Sequence, residues 1–172
     1  MKMWLFWTRG SGIVDWLICR VTGGDWSHVG IRFDDQYFEA HGFGADKGFR
    51  GPKPLSKLVA WAREPGNAVH FLAVPLMPDD VLACLAWCEA EANRARRGYD
   101  LVQLLRIYVV RRLSWLGMTV ASDPSRVCCH ESVIRCLQLV GIDLTDEQYP
   151  TADSSDPGHV NRAFRRWLEA QT

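Results

Sequence analysis

The sequence predicts an α+β fold, a small antiparallel sheet bearing a histidine and an acid with a cysteine-bearing helix packed against it, and three observations carry that expectation. Ser27, Val29, Ile31 and Phe33 alternate with the intervening residues in the period of a half-buried strand, Asp34-Asp35 makes a turn, and Gln36 to His41 returns as a second strand. From Cys129 onward Val133, Ile134, Leu137 and Val140 recur with helical spacing until Gly141 supplies a stop. The chain has 172 residues with 48% hydrophobic content and no internal repeat, which fits one domain over 1–172; a chain of this size buries roughly 70% of the surface its unfolded form exposes.

Taken in order, Lys2 to Thr8 is an apolar run that does not alternate, as in a strand buried on both faces. Gly10-Ser11-Gly12 breaks it, and Ile13 to Val21 follows as a helix, with Ile13, Trp16 and Leu17 at helical spacing and Gly23-Gly24 at its end. This helix leads into the His28 strand and is expected to pack near it as scaffold. After His41 the stretch Gly42 to Pro52 is rich in glycine, and its Gly42, Phe43, Gly44 and Phe49 suit either a substrate rim or a connector. Pro54 to Trp61 reads as a short helix, and Ala68 to Val74 as a further strand whose His70 suits an edge or core position.

Pro78-Asp79-Asp80 starts a helix reaching about Arg96, with an acidic cap at its positive end. Gly98-Tyr99-Asp100 separates it from a helix over Leu101 to Leu116 that is apolar nearly all round and so faces the core or a partner. Arg106, Arg111 and Arg112 make that run too costly and too short for a membrane span. Asp143 to Ser155 is polar, and Asp156-Pro157 caps a last helix reaching Trp167, whose Arg162, Arg165 and Arg166 form a solvated face.

Composition narrows the function classes. Twenty basic and 20 acidic side chains cancel, which argues against broad nucleic-acid binding. Eight tryptophans suit large core residues more than contact surface. Met1 to Trp7 is too short an apolar run for a secretory signal, so the six cysteines are expected to be free thiols in a protein that is cytoplasmic or carried in a virion or secreted assembly. Cys84 and Cys88 are four apart on a helix, but no Cys-x-x-Cys pair accompanies them, so no metal is expected. Cys19, Cys84, Cys88 and Cys136 read as small buried hydrophobes.

The chemistry concentrates on Cys129. A thiol in the first turn of a helix faces N–H groups without intrahelical partners and the positive end of the dipole, which lowers its pKa. Cys129 shares a stripe with Val133, Cys136 and Leu137 and so points inward, whereas Cys128 lies in the extended entry. The base is sought in the hairpin. A two-residue turn sets Gly30 across from Glu39 and His28 across from His41 on one face, with Gly30 leaving room beside Glu39. A base and two orienting partners thus lie together, as a Cys-His-acid site requires.

Ser27-His28-Val29-Gly30-Ile31, Phe38-Glu39-Ala40, Gly98-Tyr99-Asp100 and Cys129-His130-Glu131, in that order, resemble the circularly permuted NlpC/papain-like cysteine hydrolases of the YiiX type and, more distantly, the lecithin:retinol acyltransferase relatives. The resemblance spans about two thirds of the chain; the position after the cysteine, commonly serine in that family, is His130 here. It implies a papain-like fold with Cys129 as nucleophile, His28 as base and Glu39 as third member, with His41 the runner-up. On that reading the backbone N–H of Cys129 contributes to an oxyanion hole and no cofactor is needed. The implied substrates are peptidoglycan stem peptides, cleaved at an amide through an acyl-enzyme, with lipid acyl amides or esters as the alternative. The expectation from another class is a non-catalytic component of a larger assembly such as a phage tail, engaging protein partners.

Overall fold

The computed structural model describes residues 1–41, 48–94, 98–99, 126–147, 149–152 and 155–171. Strand β1 (Met3–Arg9) pairs antiparallel with β2 (His28–Phe33) on one side and β5 (Ala68–Val74) on the other. Leu5, Phe6 and Trp7 are all fully buried, so both faces of β1 are covered, as its unbroken apolar run predicts. Strands β3 (Gln36–His41) and β4 (Gly48–Pro54) extend the sheet, giving five antiparallel strands in the order β4-β3-β2-β1-β5. The architecture is α+β, with five helices among the described residues.

The two faces of the sheet carry different cores. Met3, Leu5, Trp7, Val29, Ile31, Phe38 and Ala40 face α3 (Pro78–Asn93) and α4 (Cys129–Gln138), which contribute Val81, Cys84, Val133, Ile134 and Leu137. Phe6, Tyr37 and Leu58 form a smaller cluster on the other face, beneath α2 (Leu55–Ala62). The last helix, α5 (Pro157–Glu169), adds Val160, Ala163 and Phe164 to the main core. Its N-cap Asp156 accepts from the backbone N–H of His159 at 2.8 Å, which satisfies one of the donors a helix start leaves over. Parallel to each other, β6 (Gly98–Tyr99) and β7 (Arg126–Val127) lie beside β4 and deliver the chain to Cys128.

Several expectations are corrected. The stretch Gly42 to Pro52 is not all loop: Gly48 onward is β4, an edge strand, where prolines are tolerated because one row of backbone groups needs no partner. Phe49 is buried at 3%, stacked on Phe38 with ring centroids 6.2 Å apart, and so belongs to the core rather than to a substrate rim. The rim residues Gly42, Phe43 and Gly44 lie outside the described residues, as do the expected helix 101–116 and Asp100. Helix α1 (Ile13–Thr22) forms as expected but presents Ile13, Trp16 and Leu17 outward, each more than half exposed, and Cys19 is only partly buried. What ties α1 to the sheet is polar: the carboxylate of Asp15 accepts a hydrogen bond from the Ser27 hydroxyl. In α3 the N-cap is Met77, so Asp79 and Asp80 act on the helix dipole from the first turn rather than as caps.

Candidate active site

Chain geometry around Cys129 follows from its two neighbours. Cys128 is the N-cap of α4 with extended backbone (φ −104°, ψ 157°), and its N–H donates to the buried carboxylate of Glu131 at 3.4 Å. The same carboxylate is held by Arg135 at 2.6 Å, one helical turn on. This pins the first turn and makes Cys129 the first helical residue, where N–H groups lack intrahelical partners and the dipole favours a thiolate. Cys129 is buried with Val133, Cys136 and Leu137, as the stripe predicts; Cys128 is buried too.

The hairpin has the register expected of it. Gly30 stands across from Glu39, Ile31 from Phe38 and Phe33 from Gln36. His28 Nε2 lies 3.0 Å from Glu39 Oε2, and the Glu39 side chain is only 7% exposed. The room at Gly30 is taken by a ring: a Cβ there would fall 2.3 Å from Phe6 Cζ and 2.8 Å from the Phe38 carbonyl oxygen. Phe6 thus closes the apolar side of the imidazole, at a ring-centroid distance of 6.5 Å. His41 ends β3 opposite Gly48 of β4, and its side chain lies outside the described residues. Glu39 is the acid brought to His28.

His28 and Cys129 meet where both elements begin, since each is the first residue of its own. With Nε2 engaged by Glu39, Nδ1 is the ring nitrogen left for sulfur. The electrostatics are those of an ion pair. Burial works against a charged His28, but the negative charge and hydrogen bond of Cys129, with those of Glu39, outweigh it and raise its pKa to about 10. Burial likewise opposes a Cys129 thiolate, and the charge of His28 with hydrogen bonding from His130 and His28 overrides it, holding the thiol well below its usual range. The two shifts act together, each favouring the charged form of its partner, the thiolate on Cys129 and the imidazolium on His28.

Three other thiols, Cys19, Cys84 and Cys136, are shifted the opposite way. Cys84 and Cys136 engage one another across the α3–α4 interface, where the thiol-thiol contact and burial push Cys84 up. In Cys136 the bond with Cys84 lowers the pKa, but Cys88 and burial prevail and raise it well above the usual value. Burial raises Cys19 as well. Of Cys19, Cys84, Cys129 and Cys136, Cys129 alone is shifted toward reactivity. Among the described residues, no group of three His, Cys, Asp or Glu is arranged to hold a metal ion, and no helix is long and apolar enough to cross a membrane.

Two further histidines, His70 and His159, are held in contacts away from this pair. His70 on edge strand β5 stacks on Trp26 and lies 3.0 Å from an Arg165 nitrogen, and burial with that positive charge lowers its pKa. His159 Nε2 bonds the Leu144 carbonyl oxygen at 2.8 Å. Sequence reasoning missed Lys53, whose Nζ is 3.5 Å from Glu39 Oε1 and pairs with that carboxylate. It lies on β4, a strand the glycines and prolines conceal. No protein-family model matches this chain, and no curated protein matches it.

Proposed function

We propose that this protein is a cysteine hydrolase with a permuted NlpC/papain-like fold, cleaving an amide bond in peptidoglycan stem peptides. The observation that carries the reading is the buried Cys129-His28 ion pair with Glu39 on the far nitrogen of the imidazole. The stem-peptide assignment rests on the resemblance of Ser27 to Ile31, Phe38 to Ala40 and Cys129 to Glu131 to that family.

In the reaction, Cys129 Sγ attacks the carbonyl carbon and a C–S bond forms. Negative charge develops on the carbonyl oxygen, where the Cys129 N–H at the positive end of α4 stabilises it. The C–N bond then breaks as His28 gives its proton to the departing amine. Neutral His28 takes a proton from water, the hydroxide adds to the thioester, and the acid product leaves as the thiolate and imidazolium are restored. Glu39 holds the ring throughout and stabilises its positive charge whenever the imidazole is protonated.

The test is to incubate the purified protein with muropeptides and, separately, with fatty-acyl amides and esters, following new amines, acids and a covalent adduct on Cys129 by mass spectrometry. The expected result is muropeptide cleavage, with the adduct, that Cys129→Ala abolishes. Turnover of acyl lipids alone would move the substrate class to lipids. No turnover of either set, with Cys129→Ala retaining its biological role, would overturn the enzyme reading in favour of a structural component.

A further inference from the structure

His130 is fully buried in the first turn of α4, yet neither Nδ1 nor Nε2 makes a hydrogen bond of ordinary geometry with a protein group among the described residues. An imidazole kept dry with both nitrogens unanswered is unfavourable, and apolar residues of similar size would fill the space at less cost. Its neighbours supply the acceptor. The ring follows Cys129 directly in the first turn of α4, where its hydrogen bonding and charge help hold that thiol down, and a thiolate is a large, diffuse acceptor that tolerates long contacts. Glu131, the carboxylate of the same turn, is already committed to the Cys128 N–H and Arg135. His28 is likewise committed to Glu39.

We infer that His130 is a positioning residue, a second imidazole whose N–H holds the Cys129 thiolate, so that the nucleophile is clasped by two rings rather than by His28 alone. The inference rests on the cysteine-hydrolase reading and adds a division of labour to it. His28 carries the proton that moves to the leaving group. His130 keeps its own proton, steadies the sulfur while His28 is neutral, and favours the thiolate when the thioester breaks. The residue that follows the nucleophile thereby acts on it directly.

The experiment is the pH dependence of iodoacetamide alkylation, resolved to Cys129 by peptide mapping, in the wild-type protein and in His130→Ala, His130→Asn and His130→Gln. With His130→Ala, near-UV circular dichroism unchanged, the rate at mildly acidic pH should fall by about tenfold, the size of one charge-assisted hydrogen bond lost. Asn or Gln, whichever places an N–H where the ring nitrogen stood, should restore most of it. A folded His130→Ala that titrates like wild type overturns the inference while leaving the Cys129-His28 pair standing. A wild-type Cys129 no more reactive than an ordinary thiol sinks the underlying reading instead. Should His130→Ala not fold, ¹⁵N spectra of the wild-type imidazoles decide: a slowly exchanging His130 ring proton must be released when Cys129 is capped, and one unaffected by capping refutes the bond.

Discussion

Replacing Glu39 by glutamine keeps the shape of the side chain and removes its charge from the imidazole. Glu39 is nearly buried and 3.0 Å from His28 Nε2, so solvent screens the contact little. A hydrogen bond to a charged group is worth roughly 1.5–3 kcal/mol, which at about 1.4 kcal/mol per pKa unit is one to two units on His28. Lys53 at 3.5 Å already draws on the other oxygen, so the lower end applies and His28 should fall from about 10 to about 9. The assay is Cys129 alkylation against pH: above the His28 pKa the thiolate loses its imidazolium partner and becomes a more basic, faster nucleophile, giving a second rise. That rise should move down by about one pH unit in Glu39→Gln. Because the folded His28 pKa is raised, its contribution to stability is whole below the unfolded value of about 6.5 and is lost as pH rises through about 10. The variant should therefore lose stability earlier on the alkaline side. For Cys129 the sign is reversed: its pKa is lowered, so its contribution is whole above the unfolded value of 9.0 and is lost as pH falls through the folded one. A second rise that stays where the wild type has it would refute Glu39 as the partner of His28.

Gly30→Ala should destabilise the fold by at least about 1–3 kcal/mol, read as a lowered Tm, because the new methyl meets both the Phe6 ring and the Phe38 backbone. Cys128→Ala should leave the Cys129 alkylation profile unchanged and cost about 1 kcal/mol in urea denaturation, since Cys128 is the buried N-cap of α4. Asp156→Ala should lower stability by about 1 kcal/mol in the same measurement by removing the cap on His159 N–H, with no effect on alkylation.

The hairpin and the cysteine helix were legible because each obeys a single period. Ser27 to Phe33 alternates, Asp34 takes the positive φ (42°) of the turn, and the resulting register sets Glu39 across from Gly30, on the diagonal from His28. Gly141, at φ 77°, follows the α4 helix as the spacing predicts. β4 was not legible, because Gly48, Gly51, Pro52 and Pro54 give no alternation and little strand propensity. Its pairing comes from backbone bonds to β3, with a register shift between Tyr37 and Glu39, and from Gly51 yielding space to the Phe38 ring. With β4 hidden, Lys53 could not be placed near Glu39, nor Phe49 in the core. Helix α1 misleads in another way. Its apolar spacing is real, but the sheet side is secured by Asp15 and Ser27, and Ile13, Trp16 and Leu17 face outward.

The most direct test of the central claim is brief alkylation with iodoacetamide at neutral pH, mapped over the six cysteines, in the wild-type protein and in His28→Ala. Cys129 should be modified first although it is buried, ahead of the more accessible Cys19, and its labelling should slow markedly when His28 is removed. Labelling that follows exposure, with Cys19 first and Cys129 silent or indifferent to His28→Ala, would contradict an activated Cys129-His28 pair.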